Sequence, residues 1–135
     1  MAPVIHLDTH ATVWLAAGEL ERFPSFVHPL LRQRGCAISP MVRLELDYLH
    51  EIGRIKIPAE DIFQDLATKI GLVMDAGSFQ IIVAEAAKLI WTRDPFDRII
   101  CANARAVGAA LLTRDAAILA NEPAAFWEHP PAGLG

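Results

Sequence analysis

Three observations predict an α/β sandwich whose mainly parallel central sheet is flanked by helices. Short apolar runs alternate along the chain with segments of helical spacing. Glycines stand where several of those segments stop, at Gly18, Gly35, Gly53 and Gly108. Asp8 directly follows one apolar run and Asp115 stands just past another, and parallel sheets build sites beyond the carboxyl ends of their strands. The 135 residues are 53% hydrophobic and 21% charged, which excludes a disordered tail and suits one packed domain over 1–135.

Val4-Ile5-His6-Leu7 is a mostly apolar run that reads as a buried strand delivering Asp8. Helical spacing follows over 10–17 and again over about 25–34. Cys36-Ala37-Ile38 is a short strand closed by Ser39-Pro40. A strong helical pattern covers 41–52, and Pro58 opens another helix over about 59–69. Leu72-Val73-Met74 is the third strand. Ser78 caps a helix expected to run to Trp91, with Phe79, Ile82, Val83, Ala86 and Ile90 on one side. Thr92-Arg93-Asp94-Pro95 interrupts it, and a new helix spans about 96–107. Ala109 to Thr113 forms a strand, a short helix reaches Ala120, and Phe126-Trp127 is an edge strand.

Cys36 and Cys101 each sit in an apolar run with no CxxC spacing, so buried free thiols are expected. The first residues lack the basic and long apolar regions of a signal peptide. Arg105 splits the longest apolar run, so nothing reaches the roughly 18 residues of a membrane span. A cytoplasmic protein without membrane contact is expected.

The informative carboxylate is Glu45. At about 100° per residue, Met41, Val42, Leu44, Glu45, Leu46, Tyr48, Leu49 and Ile52 share one arc, which puts Glu45 near the centre of an apolar face. An isolated carboxylate there costs several kcal/mol or protonates, unless it pairs with an arginine or binds a cation. Asp94-Pro95-Phe96-Asp97 fits a helix start with Asp94 as N-cap, although Asp97, one turn in, can point toward the strand ends. Asp8 and Asp115 each read equally as N-caps. Four acids converging on one end of a sheet would repel one another unless a cation neutralised them. Oxygen donors without a cysteine–histidine set favour Mg²⁺ or Mn²⁺ over zinc.

The blocks Leu7-Asp8-Thr9-His10-Ala11 with Trp14-Leu15, Ile38-Ser39-Pro40 with Glu45, and Gly53-Arg54-Ile55 resemble the PIN domain of VapC-type toxins. So do Trp91-Thr92-Arg93-Asp94-Pro95-Phe96-Asp97-Arg98 and Leu111-Leu112-Thr113-Arg114-Asp115, in family order and over nearly the whole chain. The resemblance implies a PIN-like three-layer sandwich and an Mg²⁺- or Mn²⁺-dependent endoribonuclease. It also implies the toxin half of a type II toxin–antitoxin pair, held by a cognate antitoxin and forming a homodimer. The family's acidic quartet carries over to Asp8, Glu45, Asp97 and Asp115 as catalytic and metal-binding residues, with Thr113 as an accessory. One departure is Leu44, where similar toxins often carry tryptophan.

Arg93, Arg98, Arg105 and Arg114 are candidates for holding substrate phosphates, each weighed against an ordinary surface role. Trp14 and Trp91 are candidates for stacking a base or for core packing. A phosphoacceptor receiver would need a lysine after a late strand, and Lys56, Lys69 and Lys88 do not stand there. A dehalogenase-type phosphatase would want Asp-x-Asp, but the second position is His10. No GxGxxG marks a dinucleotide fold. The remaining alternatives are a non-cleaving PIN-like module that binds RNA or protein, and a PIN nuclease outside any antitoxin pair. The net charge of −4 opposes RNA binding only at first sight. Without the four site acids, 12 basic residues face 12 acidic ones.

Overall fold

The computed structural model describes residues 4–131. Its strands are β1 (Ile5–Leu7), β2 (Cys36–Ile38), β3 (Val73–Met74), β4 (Leu111–Leu112) and β5 (Ala125–Phe126). Its helices are α1 (Thr9–Ala16), α2 (Val27–Arg34), α3 (Pro40–Glu51), α4 (Ala59–Ile70), α5 (Phe79–Ala86), α6 (Pro95–Ala106) and α7 (Ala116–Asn121). The five strands form one sheet in the order β3-β2-β1-β4-β5, and every pairing is parallel. The expected fold class is the observed one, and both cysteines are buried free thiols.

Strand order determines where a site can form. From β1 the chain builds outward through β2 to β3, then crosses back to lay β4 on the other side of β1. The direction of winding therefore reverses between β1 and β4, which opens a crevice beyond their carboxyl ends. In register, Leu7 lies beside Leu112 and His6 beside both Ala37 and Leu111. Every residue of β1 is buried, as befits a central strand covered on both faces. The core around it gathers Ile5, Leu7, Ile38, Leu46, Leu66, Leu89 and Leu112. Gly71, at φ +70°, ends α4 in the left-handed region and turns the chain into β3.

His6 is the polar exception within β1. Its Nε2 lies 3.8 Å from Asp75 Oδ1, and the Asn103 side-chain amide donates to Asp75 Oδ2 at 2.7 Å. Burial pulls the His6 pKa down, against the pull of the Asp75 charge. These three side chains join β1, the end of β3 and α6.

Two expectations need correction. The helix opening after Ser78 stops at Ala86 rather than reaching Trp91. Its last turns tighten, and Leu89 turns inward to 1% exposure while Ile90 is left 80% exposed. Beyond Ala86 the bonding goes over to tighter turns, with Lys88 N–H donating to Glu85 and Leu89 N–H to Ala86. Arg98 of α6 meets that end: its Nε and Nη2 both donate to the Ala86 carbonyl, at 3.2 and 3.0 Å. An arginine at a helix C-terminus opposes the negative end of the dipole. The second correction concerns α3, whose buried side is narrower than the predicted arc. Val42 and Leu46 face the core, whereas Leu44, Tyr48 and Ile52 lie outward. Glu45 consequently stands half-buried at the edge of the packed face.

No described helix is long and apolar enough to cross a membrane. Arg98→Ala should leave the Ala86 carbonyl without its charged donor and lower stability by about 1–2 kcal/mol. A shift of the urea midpoint at unchanged slope would report it. Arg98→Lys, which lacks the two-pronged geometry, should recover only part of the loss.

Candidate metal centre

The crevice beyond β1 and β4 holds a cavity of about 160 Å³ lined by Asp8, Thr9, His10, Glu45, Asp94, Asp97, Ile100, Asp115 and Ile118. All four predicted acids reach it, from four different parts of the chain.

Asp8 ends β1 and caps α1. Its Oδ1 accepts from the Ala11 backbone N–H at 2.9 Å, and its Oδ2 accepts from the Thr113 hydroxyl. The side chain is 7% exposed. Burial raises its pKa, opposed by those two hydrogen bonds. Thr113 is thus an accessory to Asp8 in the plain sense that it holds one carboxylate oxygen. The same hydroxyl accepts from the Asp115 N–H at 3.0 Å, so one threonine fixes the approach of both acids.

Asp115 caps α7, with Oδ1 accepting from Ile118 N–H at 3.0 Å. Among the described residues its side-chain hydrogen bonds use Oδ1 alone. Capping and facing the cavity are therefore compatible, because a carboxylate has two oxygens and a cap occupies one. Glu45 accepts from the Thr9 hydroxyl, which ties α3 to the start of α1.

Asp94 and Asp97 divide as the helix-start pattern suggests. Asp94 Oδ1 caps α6 through Phe96 N–H at 2.9 Å, with the side chain exposed. Asp97 is half-buried, and its pKa is pushed up to about 6, first by burial and then by the charges of Asp94, Asp115, Glu45 and Asp8. Asp94 also lines the cavity, so five carboxylates surround it.

The donor set suits a hard divalent cation. It consists of carboxylate oxygens with two threonine hydroxyls behind them, and the like charges concentrated on Asp97 are what a cation would relieve. Among the described residues no group of three or more histidine, cysteine or acidic side chains is placed closely enough to hold an ion, so the fit rests on the chemistry of the donors and not on a formed ligand cluster.

The arginines split into two pairs. Arg98 is committed to Ala86, and Arg105 forms a two-pronged ion pair with buried Glu122, at 2.8 and 2.9 Å. Their shared helix face is thus spent on structural contacts, and the structure does not bring them to the cavity. Arg93 and Arg114 are exposed, and Arg114 borders the crevice. Trp14 belongs to an aromatic cluster with Phe23 and Trp127 while keeping one side open. Thr9 and His10, which the acid-centred reading passed over, both line the cavity. Their signal was position: they directly follow an aspartate at a strand end.

A raised carboxylate pKa means that the folded chain binds its proton more tightly than the unfolded chain does. Without divalent ions, Asp97 should therefore weaken the fold as pH rises from about 4 through 6, with the loss complete above that. Asp97→Asn should stabilise the ion-free protein at pH 7.5 by roughly 1 kcal/mol, a figure discounted for the half-exposed site, and flatten that slope. Thermal melts at several pH values in EDTA would measure it.

No protein-family model matches the sequence, and no curated protein matches it significantly. Solved structures do match. A chain of the VapBC2 complex from Rickettsia felis, bound to a DNA fragment from its promoter, superposes with a TM-score of 0.64 at 18% identity, over 91% of this chain and 96% of that one. A chain of a DNA-bound VapBC complex from Salmonella typhimurium gives 0.58 at 20% identity, over 93% and 96%. Both are toxin–antitoxin complexes, and the fold of the present chain is PIN-like.

Proposed function

We propose that this chain is a divalent-metal-dependent endoribonuclease, the toxin half of a toxin–antitoxin pair, acting in the cytoplasm as a single domain. The observation that carries the reading is the convergence of five carboxylates at the winding reversal of a parallel sheet, in a PIN-like fold. The structural neighbours are toxin–antitoxin complexes, which supports the antitoxin partner.

In this reading Asp8 and Asp115 hold an Mg²⁺ or Mn²⁺ ion, and Glu45 and Asp97 complete the acidic ring from α3 and α6. Bound there, the ion supplies the chemistry of metal-assisted hydrolysis, lowering the pKa of water and polarising a phosphoryl oxygen of RNA. Thr113 keeps Asp8 and Asp115 in register, and Thr9 does the same for Glu45. Arg93 and Arg114 are the arginines left to meet substrate phosphates. Asp94 serves chiefly as the cap of α6.

Two apolar surfaces support the protein partners. A cavity of about 200 Å³ lined by Leu15, Leu20, Phe23, Pro24, Val27 and His28 lies between α1 and α2, and it suits an apolar segment of an antitoxin. On another side, α3 and α5 both pack on α6 and turn apolar residues outward, including Leu44 at 54% and Phe79 at 65% exposure. Exposed apolar area of this kind is rare on monomers and supports a homodimer.

Asp8→Asn or Asp115→Asn should fold and lose more than about a hundredfold of Mg²⁺- or Mn²⁺-dependent cleavage of structured RNA. Undiminished cleavage by either variant would overturn the assignment, as would activity surviving EDTA. Asp94→Asn should instead retain most activity. For the dimer, Phe79→Asp paired with Ile90→Asp should convert a homodimer to a monomer in light-scattering measurements of mass.

A further inference from the structure

A second cavity, of about 320 Å³, adjoins the acidic one and is lined by Asp8, His10, Trp14, Arg114 and Asp115. Three of these residues, Asp8, His10 and Asp115, line both cavities, so the two spaces are immediate neighbours. The acidic cavity has the scale of an ion with its waters. The larger one falls within the roughly 300–1,000 Å³ that accommodates small organic groups.

Its walls follow from the chain. His10 and Trp14 lie four residues apart on α1, so they share one helix face leading away from Asp8. Their rings stand 6.0 Å apart and tilted by 43°. Trp14 is braced from behind: Phe23 and Trp127 meet it edge-on at 6.2 and 5.9 Å, and the Arg22 guanidinium lies 5.0 Å from its centroid. The indole is therefore packed on several neighbours although part of it is uncovered. Arg114, carried past the end of β4, also lines the cavity with an exposed side chain.

We propose that this cavity is a nucleobase subsite, in which His10 and Trp14 stack an unpaired base of single-stranded RNA while Arg114 meets the adjoining phosphate. The subsite rests on the ribonuclease reading of the acidic cavity beside it. Single-stranded RNA is commonly held by splayed bases on aromatic rings and arginine planes, with little sequence preference. An aromatic wall beside the acidic cavity would place one base next to the phosphodiester to be cut. His10 and Arg114 thereby act in binding and positioning.

The test uses the three indole N–H signals of the full chain in ¹⁵N spectra, with Trp14 assigned through Trp14→Phe. AMP, CMP, UMP and ribose 5-phosphate are the probes. The nucleotides should move the Trp14 signal, and ribose 5-phosphate should not. His10→Ala should weaken nucleotide binding about fivefold or more and raise KM for RNA more than it lowers kcat, whereas His10→Phe should restore most of the affinity. An unmoved Trp14 signal, or an equal response to ribose 5-phosphate, would overturn the subsite. Wild-type protein that cuts RNA with Trp14 unmoved keeps the nuclease and loses the subsite. The converse result keeps the base-binding cavity and overturns the nuclease.

Discussion

The carboxylate of Asp8 is the point on which the rest of the arrangement hangs. It is almost wholly buried at the end of the central strand, and both of its oxygens are taken. One receives the first turn of α1, and the other receives the hydroxyl of Thr113 from the neighbouring strand. A buried acid can be kept only when such hydrogen bonds offset its lost hydration. Satisfying it fixes the exit of β1, the start of α1 and the end of β4 together. Asp115 then follows Thr113 by two residues, with its own N–H bound to the same hydroxyl. The winding reversal provides the crevice, and this one network determines how its two central acids face it.

Around that network, acids are left facing one another while bases are turned elsewhere. Arg98 and Arg105 both start from α6, the helix that carries Asp97, yet each reaches away to a partner on another element. Asp97 thus feels the charges of four acidic neighbours. Such frustration is typical of functional sites, where local stability is given up for a waiting electrostatic demand.

Much of this was legible in the sequence because it is local. Strand ends followed by aspartate, Pro at a helix start and glycine at a helix stop are patterns within a few residues, and they located β1, α6 and the ends of α2 and α3. What could not be read depends on partners distant in the chain. The early end of α5 is met by Arg98, twelve residues on, and the hydrogen bond between Thr9 and Glu45 spans thirty-six. The arc of α3 misled for another reason: helical periodicity marks which residues are apolar, and it cannot distinguish packing on the core from an outward apolar surface. Asp115 caps a helix and lines the crevice at once, since one of its oxygens serves the cap and the other makes no side-chain hydrogen bond among the described residues.

That double duty has a bearing on how such a chain could change over generations. Asparagine caps helices about as well as aspartate. The two amino acids are separated by a single base substitution in their codons. At Asp115 that one step removes a negative charge from a crowded crevice while leaving the helix start intact, whereas at Asp8 it also takes away the oxygen that accepts from Thr113. Under the proposed function, a folded descendant that no longer cuts RNA lies one mutation away at Asp115. Retention of aspartate there would have to be enforced by what the crevice does, because folding alone would tolerate its loss.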